Sequence, residues 1–139
     1  MIYLDASFLV SFLIEDGHSD VADLWWASRT REAILSAFAA CEFSAVMSRG
    51  LRTGRFSDAQ ARAALDDLDS LRIECESFWP DAETFATAEA LVRDFRLKLS
   101  APDALHLASA AAAVASISTF DARLAEAARA IGVEAETLA

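Results

Sequence analysis

Short strand-like segments alternate with longer stretches of helical periodicity along the whole chain. The clearest are 2–4, 33–36 and 116–119, and weaker candidates are 72–76 and 133–135. Segments this short, bounded by polar or turn residues, are typical of strands buried within a sheet. Strands that alternate with helices predict a parallel sheet covered on both faces. We therefore expect an α/β fold, with a short central parallel sheet of four or five strands flanked by helices on both faces.

Between these segments the apolar residues recur every three to four positions, which predicts amphipathic helices. The 139 residues carry no internal repeat or linker, so we expect a single domain spanning 1–139. The predicted helices run from Ser7 to about Glu15, from Ser19 or Asp20, over 37–51, from Ser57 to about Leu71, from Pro80–Asp81 to Leu99, from Ser100 to about Ala115, and from Asp121 to about Ala130.

The chain is acidic, with a formal net charge of −10. Proteins that bind nucleic acid tightly draw affinity from Lys and Arg on the phosphates, and here those residues number only 12. This balance argues against tight, nonspecific binding of a duplex. It does not exclude a nuclease, because local positive charge or a bound metal can serve the site. The same acidity suits a basic protein partner.

No segment predicts export or membrane insertion. The longest apolar stretch, 107–117, is mostly Ala and is interrupted by Ser109 and Ser116. The first residues lack the basic and apolar regions of a signal peptide, so we expect a cytoplasmic protein with no membrane partner. Cys41 and Cys75 are too few for a disulfide framework and lack CxxC spacing, and they are predicted to be buried apolar residues.

Three acidic residues lie near the points where predicted strands end or helices begin, and a fourth lies within a predicted helix. Asp5 directly follows the first strand, Asp121 follows a later strand, and Asp103 lies in the first turn of an Ala-rich helix. Taken alone, each of these three is also explained as an ordinary helix cap or first-turn acid. Glu42 lies inside a long helix at the edge of its apolar stripe, where it could equally be turned to water. Ligands of parallel sheets bind beyond the carboxyl ends of the strands, so the acids are predicted to meet there.

Several carboxylates in one cleft repel one another, and a divalent cation removes that conflict. Oxygen ligands without Cys or His suit Mg²⁺ or Mn²⁺ better than zinc. Such a cation lowers the pKa of bound water and stabilises charge on a phosphodiester. His106, nearly one turn after Asp103, is predicted to be packed or hydrogen-bonded rather than a ligand. The acids therefore predict metal-assisted hydrolysis of a phosphate ester.

The same residues carry a family resemblance. The segments that carry it are Ile2-Tyr-Leu-Asp5-Ala-Ser7, Cys41-Glu42-Phe-Ser-Ala-Val, Ala101-Pro-Asp103-Ala-Leu-His106-Leu-Ala and Ser118-Thr119-Phe-Asp121. Each segment is weak alone, and their order and spacing over nearly the whole chain make the match strong. In these segments the chain resembles PIN-domain proteins, and in particular the VapC toxins of bacterial toxin–antitoxin pairs.

The resemblance implies a Rossmann-like three-layer sandwich and a Mg²⁺- or Mn²⁺-dependent endoribonuclease that cleaves RNA. It also implies a homodimer held inactive by a cognate VapB-type antitoxin, whose tail lies across the cleft. Ser7 and Thr119 fall where the family places hydroxyls that support the acidic site. The metal ligands and catalytic residues that the resemblance implies are Asp5, Glu42, Asp103 and Asp121.

Two further residues are candidate contacts with the RNA or the antitoxin. Arg49 belongs to a basic cluster with Arg52 and Arg55 at the end of the third helix, which is also explained as a solvated helix end. Trp26 cannot share the apolar direction of its neighbour Trp25, and it is therefore a candidate interface residue.

Two rival functions are compatible with the sequence. A phosphotransfer-type α/β domain also places an Asp at a strand end, but a haloacid-dehalogenase phosphatase would have a second Asp where this chain has Ser7. A receiver domain would have a Lys after a late strand, whereas the one Lys of this chain, Lys98, ends a predicted helix. The other rival is a binding module whose acids only receive a basic partner. Neither rival would cleave RNA.

Overall fold

The computed structural model describes all residues from 1 to 139 and contains five strands and seven helices. The strands are β1 (Ile2–Leu4), β2 (Ala33–Ser36), β3 (Glu76–Phe78), β4 (Ser116–Thr119) and β5 (Ala135–Thr137). They form one sheet in the order β3-β2-β1-β4-β5, and every neighbouring pair is parallel. The predicted α/β architecture with a parallel sheet is confirmed.

Most of the helices are preceded by a side chain that accepts a hydrogen bond from a first-turn N–H group, which has no carbonyl partner within the helix. At six of the seven, the N-cap side chain accepts a hydrogen bond from a first-turn N–H. None of the seven combines the length and apolar character that crossing a membrane requires. The helices are α1 (Ala6–Leu13), α2 (Ser19–Ser28), α3 (Ala37–Arg52), α4 (Asp58–Glu74), α5 (Ala82–Arg93), α6 (Ala101–Ala112) and α7 (Ala122–Ala130).

The strand β1 has an apolar layer on each side. Tyr3 belongs to one buried cluster together with Leu107 of α6, whereas Leu4 belongs to another together with Phe8 and Phe43. Successive strand residues point to opposite faces, so one short strand can serve both layers. Burial of β1 on both faces anchors the helices around the sheet and fixes its carboxyl edge.

The strand order reverses at β1. The chain places β2 and then β3 on one side of β1, and later returns to place β4 and β5 on the other side. At such a point the connections leave toward opposite faces of the sheet and open a crevice beyond the carboxyl ends of the strands. Asp5 directly follows β1, and Asp121 comes two residues after β4. The topology therefore brings these two acids to the same crevice.

The helix predicted to reach Leu99 is shorter in the structure, where α5 ends at Arg93. The Asp94 side chain accepts the Arg96 backbone N–H and also holds the Arg96 guanidinium, at 3.2 and 2.9 Å. Such local bonds compete with the helical ladder. Lys98 then adopts a positive φ of 54°, which no helix contains. Residues 94–100 thus form a connector instead of the last turns of a helix.

Smaller corrections concern other boundaries. Asp5 rather than Ser7 caps the first helix. The third strand lies at 76–78 rather than 72–76, because α4 continues through Glu74, and the last strand lies at 135–137 rather than 133–135. Cys41 is exposed instead of buried, on the outer side of α3.

Candidate active site

Asp5 joins β1 to α1 and is buried, with 3% of its surface exposed. Its Oδ1 accepts the backbone N–H of Phe8 at 2.9 Å, which caps α1. The Ser7 hydroxyl donates to the same carboxylate at 2.8 Å, and the Thr119 hydroxyl donates to Oδ2 at 2.6 Å. Asp5 therefore caps a helix, and its carboxylate also accepts hydrogen bonds from hydroxyl groups on α1 and on β4.

Burial raises the pKa of the Asp5 carboxyl above its ordinary value. The hydrogen bonds from Thr119, the Phe8 N–H and Ser7 act in the opposite direction, as does the electrostatic effect of the nearby His106. Because burial is the largest of these causes, a negative charge at Asp5 is costly in the isolated chain. A cation placed beside Asp5 would stabilise that charge.

Thr119 connects Asp5 to Asp121 between the ends of β1 and β4. Its hydroxyl donates to Asp5 and accepts the Asp121 backbone N–H at 2.9 Å. Asp121 in turn caps α7, because its Oδ1 accepts the backbone N–H groups of Arg123 and Leu124 at 2.9 and 3.1 Å. The Oδ2 atom of Asp121 is left without a hydrogen-bond partner in the chain, so it is free to contact a ligand.

A groove of about 610 Å³ lies between the connector 94–100 and α7, and we call it the site groove. Asp103, in the first turn of α6, and Asp121 both line it. Three cations line it as well: Arg96, Lys98 and Arg123. Two of the four predicted acids are thus brought to one groove, together with a quarter of the 12 cations of the chain.

Glu42 is held at the end of a chain of hydrogen bonds, which we call the buried polar chain. The Glu42 carboxylate contacts His106 Nε2, and His106 Nδ1 lies 2.8 Å from the Tyr3 hydroxyl, which lies 2.7 Å from Ser36 Oγ. His106, Tyr3 and Ser36 are buried. Burial raises the pKa of the Tyr3 hydroxyl far above its ordinary value, so it stays protonated and can donate. The prediction that His106 is hydrogen-bonded is confirmed.

No three His, Cys, Asp or Glu side chains are grouped closely enough to hold a metal ion by themselves. The structure places Asp103 and Asp121 in the site groove, links Asp5 to Asp121 through Thr119, and holds Glu42 against His106. Mg²⁺ is commonly held by one or two carboxylates and keeps several waters. Asp5 and Asp121, which Thr119 links, therefore offer oxygen ligands of the kind that a hard divalent cation prefers.

The family model described as PIN domain matches residues 2–130 of the chain. The chain belongs to the PIN domain family. No curated protein sequence matches this PIN domain at a significant level.

Several solved structures are similar to this PIN domain. Mycobacterium tuberculosis VapC20, described as a toxin that cleaves the sarcin–ricin loop, has 20% identity and a TM-score of 0.72 over 96% of each chain. VapBC2 from Rickettsia felis, bound to a promoter DNA fragment, has 19% identity and a TM-score of 0.73 over the full length of both chains. A toxin–antitoxin complex from Klebsiella pneumoniae has 17% identity and a TM-score of 0.60 over 87% of each chain. At these identities the similarity concerns the fold.

The two candidate contact residues lie away from the site groove. Arg49 is exposed on α3. Trp26 is half-buried in this PIN domain, with its ring centroid 5.1 Å from that of Phe12 and 3.3 Å from the Arg29 guanidinium carbon. Trp26 packs against the main apolar cluster but keeps part of its surface exposed, and Arg49 is fully on the surface, so both can contact a partner.

The partners of Glu42 and the three cations of the site groove were not predicted from the sequence. Tyr3 gave one signal, because it is the one polar side chain within the apolar run of β1. Lys98 and Arg123 gave another, because they lie five residues before Asp103 and two residues after Asp121. Only the fold shows that these positions face a common groove.

Proposed function

We propose that this PIN domain is a divalent-metal-dependent endoribonuclease of the VapC toxin type. The observation that carries the proposal is that the Thr119 hydroxyl bonds both the Asp5 carboxylate and the Asp121 backbone N–H at the strand-order reversal, where ligands of parallel sheets bind. A buried carboxylate in such a crevice, with its pKa raised by burial, is typical of a functional site. Membership of the PIN domain family supports nuclease chemistry at this position.

In this proposal Mg²⁺ or Mn²⁺ is held by the four acids of the site. When bound, the ion supplies positive charge for the phosphate and lowers the pKa of the attacking water. Ser7 and Thr119 orient the Asp5 carboxylate by donating hydrogen bonds to it. The hydrogen bond to His106 orients the Glu42 carboxylate. The proposed ligands and catalytic residues are Asp5, Glu42, Asp103 and Asp121.

The purified chain, free of any partner protein, should cleave RNA only when Mg²⁺ or Mn²⁺ is present. We expect EDTA to abolish the cleavage of total bacterial RNA and added MnCl₂ to restore it. Electrophoresis and sequencing of the new RNA ends would measure the reaction and locate the cut. Full cleavage in EDTA would contradict the metal requirement. RNA left intact under all of these conditions would favour an acidic binding module or a phosphotransfer-type domain.

We also propose two protein partners, a second copy of this chain and a cognate VapB-type antitoxin. An apolar groove of about 920 Å³ lies between α5 and α6, and Phe85 in this groove is 56% exposed. Exposed apolar patches are typical of protein interfaces, and we assign this one to a homodimer. The similarity to a toxin–antitoxin complex supports an antitoxin. Arg49 and Trp26 are the proposed contacts with the antitoxin or the RNA.

Light scattering of the purified chain should give the mass of two copies of 15.0 kDa. Phe85→Glu places a charge in the apolar groove and should give a monomer, whereas Thr87→Glu, on the same helix but outside the groove, should leave the dimer intact. Co-expression with the product of the adjacent reading frame should give a heavier complex without ribonuclease activity. A wild-type monomer would contradict the homodimer, and an adjacent product that does not bind would contradict the antitoxin.

A further inference from the structure

Most cations of this chain are already engaged by other groups of the chain. Nine of the 12 have a side-chain hydrogen bond, an ion pair or an aromatic ring as a partner. The three without any such partner are Arg49, Lys98 and Arg123. Two of these three, Lys98 and Arg123, line the site groove with the acids Asp103 and Asp121. Unpaired positive charge is therefore concentrated beside the proposed site.

The two cations come from different walls of the site groove. Lys98 belongs to the connector 94–100, and Arg123 belongs to the first turn of α7. The third cation of the groove, Arg96, is bound through two hydrogen bonds by Asp94, at 2.9 and 2.8 Å, so its charge is largely neutralised. A strand lying in the groove would therefore meet one free cation on each side.

The backbone at Lys98 adds a second, independent observation. Its φ of 54° lies in the left-handed region, which side-chain-bearing residues rarely adopt and which is common at functional sites. The neighbouring Leu99 packs against two buried clusters and anchors the connector. The only Lys of the chain thus occupies a disfavoured backbone conformation on an anchored segment at the rim of the groove.

We propose that Lys98 and Arg123 bind the phosphates of a single RNA strand that lies in the site groove, one from each wall. This inference rests on the proposed ribonuclease function. Phosphate contacts of this kind position a strand without reading its bases. The net charge of −10 repels RNA from the rest of the surface. The two unpaired cations offset this repulsion within the groove, which explains how so acidic a chain can hold a polyanion there.

The test compares Lys98→Ala and Arg123→Ala with Arg52→Ala, an exposed cation outside the groove. Anisotropy of a fluorescein-labelled, random-sequence RNA 12-mer is measured in EDTA between 50 and 200 mM KCl. Each groove variant should bind about fivefold more weakly at 0.1 M salt and lower the slope of log K against log salt by about 0.7, as expected for one lost contact with single-stranded RNA. Arg52→Ala should match the wild type. With Mn²⁺ present, KM for RNA cleavage should rise about fivefold while kcat stays within about twofold.

The possible results separate the role of Lys98 and Arg123 from the proposed ribonuclease function. A wild type that cleaves RNA while both groove variants keep its KM and salt slope overturns this inference and leaves the proposed function standing. A wild type that neither binds nor cleaves RNA overturns both. Weaker binding of a labelled hexaglutamate peptide, with unchanged binding of the RNA 12-mer, would assign the two cations to an acidic protein partner and would also overturn the inference.

Discussion

Asp5→Asn is expected to lower the rate of RNA cleavage by about 100-fold or more. We expect it to leave the metal-free fold at least as stable as that of the wild type. Asparagine has the same shape, and its Oδ1 can still accept the Phe8 N–H that caps α1. Its amide can donate to the hydroxyls of Ser7 and Thr119, which can turn to accept. The variant loses the negative charge that the proposed cation needs, and it keeps the buried hydrogen bonds.

The pH dependence of stability distinguishes this variant from the wild type. Burial raises the pKa of Asp5 in the folded chain above its value in the unfolded chain. Between these two pKa values the folded state holds more protons, so the stability of the wild type falls as the pH rises through that window. An asparagine side chain does not titrate, so Asp5→Asn should be at least as stable as the wild type at neutral pH in EDTA. Thermal unfolding between pH 4 and pH 8 would measure the difference.

Metal binding provides a readout that does not depend on activity. At a Mn²⁺ concentration of about 100 times Kd, binding should stabilise the wild type by about 2.7 kcal/mol. Asp5→Asn should gain much less, and Asp23→Asn, on the exposed surface of α2, should gain as much as the wild type. Equal stabilisation of Asp5→Asn and the wild type by Mn²⁺ would show that Asp5 is not a ligand.

His106→Leu is expected to lower both the stability of the fold and the rate of RNA cleavage. Leucine fills a similar buried volume but forms no hydrogen bond with Glu42 or Tyr3. Removing a partner from buried polar groups costs about 1–3 kcal/mol. Loss of a side chain that orients a metal-binding carboxylate typically lowers activity or metal affinity by about 10- to 100-fold. Urea unfolding, cleavage kinetics and Mn²⁺ binding by paramagnetic resonance would measure these effects.

Two further variants separate positioning of Glu42 from general destabilisation. His106→Gln keeps a donor for Glu42 and should recover part of the activity. Leu107→Ala opens a cavity in the apolar layer beneath β1 and should cost about 2–5 kcal/mol, while leaving the Glu42 contact unchanged. At a temperature where all variants are folded, Leu107→Ala should keep wild-type activity. If Leu107→Ala and His106→Leu lost activity equally, His106 would have only a structural role.

The centre of the sheet was predictable because β2, β1 and β4 are local features with clear ends, whereas the two edge strands were misplaced by a few residues. The run 2–4 stops at Asp5, and residues 33–36 and 116–119 lead directly into helix-start residues. The end of α5 was not predictable from periodicity, since Phe95 and Leu99 continue the helical spacing. There the bonds between Asp94 and Arg96 and the left-handed Lys98 decide the outcome.

The site was predictable to the extent that it follows from strand ends. Asp5 and Asp121 reach one crevice because parallel strands share a carboxyl edge. The contacts of Glu42 were not predictable, because the buried polar chain joins residues 33, 64 and 103 positions apart in the sequence. No local pattern encodes pairings over such distances. Whether all four acids share a cation is a prediction for the experiments above.

The bond between Thr119 and Asp5 also has a consequence for how the protein is made. The two residues are 114 positions apart, and β4 pairs directly with β1. During translation Asp5 therefore emerges long before the strand and hydroxyl that complete its surroundings. A nascent chain shorter than this span has no assembled site, so the ribosome that synthesises the proposed ribonuclease is protected from it until most of the sequence has been translated.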